Sequence, residues 1–272
     1  MQIDVRRAAA VIVAGMVLLA GCATPGPTTP SARAEELAQA EAATSAFYQV
    51  VENRDFAGME ALFSDYSLHE IAGILPADAA AEWAQVDAAG YRLLEHQVLD
   101  SRLIAENAAM VQVSLRFVSV TGAQEQTTEV WAGLRKEDGQ WRVNYANFID
   151  HVDLDLTAQT MHGVTVRPWR IVRATDALFI VISVENETDR GVYWGWGDNS
   201  TVATFTFDEG NVEAGWSWYL SPHERVADVK INVDGWRETY PTGVDLSNWF
   251  LTFEGGNIDE SVEPWTYRFS WD

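Results

Sequence analysis

An α+β module followed by an all-β module is the architecture expected of this chain, and a change of hydrophobic period is the reason. Between residues 32 and 89 apolar side chains recur at steps of three and four, the spacing of one helix face. From residue 91 onward the period falls to two, and short apolar runs are punctuated by Gly, Asn, Asp and Pro. Helical segments ahead of the first strands indicate helices packed on one face of a bent antiparallel sheet. The second half has no helical period and indicates two sheets packed face to face.

Leu37, Ala40, Ala43, Phe47 and Val51 carry the first helical stripe, predicting a helix over 32–55. Ser31 is its expected N-cap, and Glu35 and Glu36 lie near its positive end. FAGMEALFS (56–64) and PADAAAEWAQVDAA (76–89) are the second and third expected helices. Strands are predicted over 91–104, 110–120, 125–134 and 140–148, separated by the turn signals ENA, TGA and EDG.

This order, opened by FYQVVENRDFAGMEALFS and closed by DGQWRVNYA at 138–146, resembles the nuclear-transport-factor-2-like superfamily, the cone-shaped fold of SnoaL-like and ketosteroid-isomerase-like proteins. The resemblance covers residues 32–150. It implies a pocket between helices and concave sheet, holding a carboxylate for acid/base work beside a Tyr or His. Tyr66, His69, Glu95 and His96 are the residues here that fit such a role. Glu95 and His96 are adjacent on a strand and point to opposite faces, so at most one enters the pocket. The competing reading, preferred here, is a cone filled by Trp83, Trp131 and Trp141 with polar residues at its rim.

HVDLDLTAQT (151–160) reads as a linker to a β-sandwich over 161–272. VTVRPWRIVR, LFIVISVEN, TVATFTF, VADVKINV, NWFLTF and YRFSW are its expected strands. LFIVISV running into ENETDRG, with YLSPHE ahead of a later strand, is similar to immunoglobulin-like sandwich domains of bacterial surface proteins.

At the other end, Arg6 and Arg7 precede thirteen apolar or small residues, 8–20. That is short of the roughly 20 residues a membrane-crossing helix needs and fits a signal-peptide core over 1–21. The following L-A-G-C resembles a bacterial lipoprotein signal, which implies diacylglycerol on Cys22 and a mature chain beginning there. Each buried CH₂ contributes about 0.8 kcal/mol, so two or three acyl chains anchor durably. Residues 22–31, rich in Pro and Thr, form the expected lipidated tether. Ala23 after the cysteine suggests outer-membrane sorting in an organism with two membranes. Cys22 is the sole cysteine, so no disulfide forms within the chain.

The formal charge of -22 repels phosphate backbones, which argues against a nucleic-acid partner. HEIAG at 69–73 has glycine where a zinc-binding helix needs its second histidine, and GWSWY at 215–219 lacks the second glycine of a nucleophile elbow. His151, Asp153 and Asp155 alternate along one side of an extended segment, but a solvated acidic linker is the favoured reading, so neither a metal nor a cofactor is expected.

Nine of the twelve tryptophans follow residue 160. YWGWG and WSWY set Trp194 with Trp196, and Trp216 with Trp218, at alternate positions, an arrangement suited either to a sugar-stacking platform or to bulky core. The expectation is therefore a non-enzymatic envelope lipoprotein, held to the membrane through Cys22, that binds or scaffolds an envelope protein or glycan. The alternatives are a carbohydrate- or peptidoglycan-binding module using those four indoles, and an isomerase-like enzyme in the first module.

Overall fold

A computed structural model describes residues 30–119, 124–195, 201–215, 217–253 and 256–271. The chain divides into two compact units. One holds the described residues up to Asp150 with Ala174–Asp176, and the other holds His151–Arg173 with the described residues from Ala177 onward.

In the first unit, α1 (Pro30–Glu52) buries Ala40, Ala43, Phe47 and Val51, the stripe expected from the spacing. Ser31 lies inside this helix rather than ahead of it. The segment Phe56–Leu62 forms a 3₁₀-helix, capped by Asp55, whose carboxylate accepts from the Gly58 amide at 3.1 Å. Tyr66–Ala72 is a single π-helical turn closed by Gly73 in the left-handed region, φ 65°. A second α-helix, α2 (Pro76–Ala88), begins with proline at its first turn, where the missing N–H costs nothing.

Strands β1 (Tyr91–Ala105), β2 (Ala108–Ser119), β3 (Gln124–Glu137) and β4 (Gln140–Val143) pair in sequence order as a four-stranded antiparallel sheet. Val111, Val113, Leu115 and Leu134 from this sheet share one apolar cluster with the buried face of α1, Met59, Phe63 and Trp83. The strand expected over 140–148 is broken: Ala146 and Asn147 take positive φ, 51° and 60°, so β4 stops and β5 (Phe148–Asp153) starts in a new direction.

In the second unit β6 (Gln159–Met161) and β7 (Val164–Ala174) are followed by β8 (Ala177–Asn186), β9 (Val192–Trp194) and β10 (Thr201–Phe207). Then come β11 (Gly210–Gly215), β12 (Trp218–Leu220), β13 (Arg225–Asp234), β14 (Gly243–Leu251) and β15 (Trp265–Ser270). One sheet runs β11-β10-β14-β9-β12 with β15 on β14, and the other runs β13-β8-β7 with β5 and β6 beside β7. Alternate residues of both sheets, among them Ile171, Ile180, Ile182, Phe205, Leu246 and Tyr267, meet in one core, a β-sandwich-like arrangement. The stretch read as a linker carries the end of β5 and the start of β6.

Asn186 ends β8 and is buried. Its amide donates to the carbonyls of Arg190 at 2.7 Å and Ser221 at 2.9 Å, so the ENETDRG turn and the YLSPHE turn are joined through one side chain. Glu224 closes the second turn by accepting from the Ser221 amide at 2.7 Å.

The expected fold class needs correction. The described chain is mostly strand, in three antiparallel sheets, and a helix-packed nuclear-transport-factor-2-like cone is not formed. One of the three helical segments on which the α+β reading relied, 56–64, shrinks to a 3₁₀ segment over Phe56–Leu62, whereas β1, β2 and β3 extend over 15, 12 and 14 residues.

Candidate functional site

The residues expected to converge in a pocket do not do so. Tyr66 starts the π turn, with the Arg135 guanidinium 4.2 Å from its ring centre, and its backbone amide donates to Glu137 at 3.0 Å. His69 is exposed on the same turn. Glu95 projects from β1 with its side chain 65 % exposed, accepting from Arg116, which also holds Glu125. None of the three lines the cleft described below.

His96 is the neighbour that turns inward. Its Nδ1 lies 2.7 Å from Oε1 of Glu52, at the C-terminal end of α1, and its ring sits 5.6 Å from that of Tyr48. The other carboxylate oxygen of Glu52 accepts from Gln49 at 3.2 Å. Glu52 was missed in the sequence because it lies 44 residues from His96, and nothing local marks the pair. Tyr48 is fully buried, its hydroxyl has no protein partner, and burial pushes its pKa upward.

Beside this pair opens a cleft of about 230 Å³. Val51, Phe56, Trp83, Leu93 and Phe117 supply apolar walls, and Glu52, Arg54, Asp87 and Arg92 supply its polar rim. Asp87 stands at the C-terminal end of α2, where the helix dipole disfavours a negative charge. Two guanidiniums offset that: Arg54 donates through Nη2 to Asp87 Oδ2, and Arg92 Nε lies 3.6 Å from Oδ1. Trp83 is 5 % exposed, and Leu94 at the mouth is 40 % exposed.

The tryptophan pairs separate differently. Trp194 is 1 % exposed, stacked on Trp249 with ring centres 4.4 Å apart and planes 15° from parallel, and its Nε1 donates to the Ser247 carbonyl at 2.9 Å. A sugar therefore has no access to Trp194. Trp218 is half-buried against the same core, opposite Trp194 in the β9–β12 register. Trp196, Trp216 and Cys22 lie outside the described residues.

Asp153 is engaged by Arg170, whose Nε donates to it at 2.6 Å and holds its carboxyl below the usual range; His151 Nε2 is 3.8 Å away. Asp155 is exposed. Among the described residues no cluster of three or more His, Cys, Asp or Glu has metal-binding geometry, and no helix is long and apolar enough to cross a membrane.

Compared with known proteins, the chain matches no family model and no curated sequence.

Proposed function

We propose that this protein is a lipid-anchored, non-enzymatic binding or scaffolding protein of the bacterial cell envelope. The observation that carries the reading is the stretch VLLAGC followed by ATPGPTTPS: a basic start, a short apolar core, small residues and the only cysteine stand in the order an acylated N-terminus requires. Acyl chains on Cys22 then hold the mature chain at the membrane, and the Pro/Thr segment spaces the folded units from it. In an organism with two membranes, Ala23 directs it to the outer one.

Supporting the binding role are two compact units, an acidic surface unsuited to nucleic acid, and a small amphipathic cleft in the first unit. The sugar-stacking alternative has lost the first of its four indoles to the sandwich core. The isomerase-like alternative presupposed a cone fold that the chain does not adopt.

Metabolic labelling with palmitate in a bacterial host tests the proposal. Wild type should take up label and sediment with membranes, and Cys22→Ala should do neither. Equal labelling of the two forms, or none in wild type, would refute it.

A further inference from the structure

The geometry points to a small-carboxylate site in the first unit: the cleft between α1, α2 and β1 takes an aromatic carboxylic acid, with its ring against Phe56, Trp83 and Phe117 and its carboxylate on Arg54 and Arg92. This gives the proposed binding role a ligand class, but it rests on the cleft alone and does not require the anchor.

Size comes first. At about 230 Å³ the cleft lies below the roughly 300–1,000 Å³ of sites for drug-sized molecules, so it suits one fused ring system rather than a polymer or a lipid. Its walls are aromatic and aliphatic, and they reward a flat apolar body.

Charge decides the polar end. Both oxygens of Glu52 are occupied, by His96 at 2.7 Å and Gln49 at 3.2 Å, and both oxygens of Asp87 face guanidiniums. Each rim carboxylate oxygen already faces a donor, so a cation would compete with those donors. The donors stand the other way: a guanidinium has five N–H groups, and Arg54 commits one nitrogen to Asp87 while Arg92 only approaches it at 3.6 Å. Two guanidiniums share one carboxylate, with side chains 53 % and 47 % exposed toward the opening. Counting Glu52, the rim holds two guanidiniums and two carboxylates, so what favours an anion is the N–H groups that Arg54 and Arg92 have left over, in the fork geometry by which arginine holds a carboxylate.

Calorimetric titration of the full-length chain with three probes of one shape, 2-naphthoate, 2-naphthylmethanol and 2-naphthylmethylammonium, tests the assignment. Naphthoate should saturate one site and bind about tenfold more tightly than the alcohol, the worth of one charge-assisted hydrogen bond, with the ammonium weakest. Arg54→Gln and Arg92→Gln should each weaken naphthoate about tenfold and leave the alcohol unchanged. If Arg54→Gln lowers the folded fraction seen by circular dichroism, Arg92→Gln carries the test, because its side chain makes no hydrogen bond to Asp87. The assignment is overturned if wild type shows no saturable naphthoate binding, if the alcohol or the ammonium binds as tightly as the acid, or if Arg92→Gln leaves naphthoate affinity unchanged. A chain isolated from its native cells with unmodified Cys22 that binds naphthoate would end the anchor proposal and leave this one standing.

Discussion

The two units solve the same packing problem with different materials. In the first, a helix face of Ala40, Ala43, Phe47 and Val51 lies against Val111, Val113 and Leu115 of a sheet, with Phe47 edge-on to Tyr48 and Phe63. In the second, two sheets meet over large aromatics, with Trp194 stacked on Trp249 and Tyr267 edge-on to Trp249 at 5.4 Å. In the aromatic core Trp194 Nε1 pairs with Ser247, Trp249 Nε1 with the Leu246 carbonyl at 3.1 Å, and the Tyr267 hydroxyl with the Val164 carbonyl at 2.6 Å, while Trp265 Nε1 is buried without a hydrogen-bond partner. The helix-on-sheet core leaves the Tyr48 hydroxyl, both side-chain polar atoms of Asn144 and the Asn147 Oδ1 buried without protein partners, and an amphipathic cleft stands open in the same unit. Buried polar atoms without protein partners are places where ordered water is accommodated. The two cores thus differ in how their aromatic side chains are placed, and both leave a few buried polar atoms without partners.

The largest expected effect tests the aromatic core directly. Trp249→Ala removes a side chain that is 0 % exposed and should cost about 3–5 kcal/mol in denaturant-induced unfolding. A loss below about 1 kcal/mol would mean that the stack is not what holds the second unit together.

A single chemical change then separates the two units by sign. Tyr267→Phe strips a hydroxyl that serves the Val164 carbonyl and should destabilise by about 1 kcal/mol. Tyr48→Phe deletes a buried hydroxyl with no protein partner and should be neutral or stabilising by up to about 1 kcal/mol. Unfolding midpoints of the two variants that moved in the same direction would break the comparison.

Alkaline titration sharpens it further. Burial pushes Tyr267 up to about 12, above its unfolded value of about 10. Its contribution is therefore full below pH about 10 and declines as pH rises from there through 12, because the unfolded chain ionises first. Unfolding monitored against pH should show this decline in wild type and less of it in Tyr267→Phe.

The smallest effect is on the acid side. Asp259 accepts from the Ser261 hydroxyl and from Arg190, and these hold its carboxyl below the ordinary range. Its stabilisation is present above the unfolded carboxylate value and fades as pH falls through the lowered one. Asp259→Asn should flatten the acid limb of the stability profile; an unchanged limb would show that this pair contributes nothing measurable.

Much of the secondary structure was legible because it depends on local spacing. The stripe through Ala40, Phe47 and Val51 gave α1, and the apolar run Leu178–Val184 gave the centre of β8. Short segments were less legible. Phe56–Leu62 has a helical pattern, but seven residues do not decide between 3₁₀ and α geometry, and weighing that segment as a full helix led to the cone that does not form. No local signal announced positive φ at Ala146, an unfavourable conformation for a residue with a Cβ, so one strand was expected where two exist.

The sites were legible only in part. Alternation correctly gives neighbours opposite faces, which is why His96 enters while Glu95 does not, but it does not say which face is inside. That choice comes from tertiary pairing: Glu52 on α1 draws His96 in, and Trp249 on β14 draws Trp194 in. The Arg54–Asp87–Arg92 rim joins residues from a turn, a helix and a strand, and no short window of sequence contains it.

The most direct test of the central claim is the mass of the N-terminal peptide of the protein isolated from its native cells. The account predicts a peptide beginning at Cys22 and heavier than its sequence by diacylglycerol and any further acyl chain. A bare thiol at Cys22, or a peptide that still includes Gly21, would contradict it.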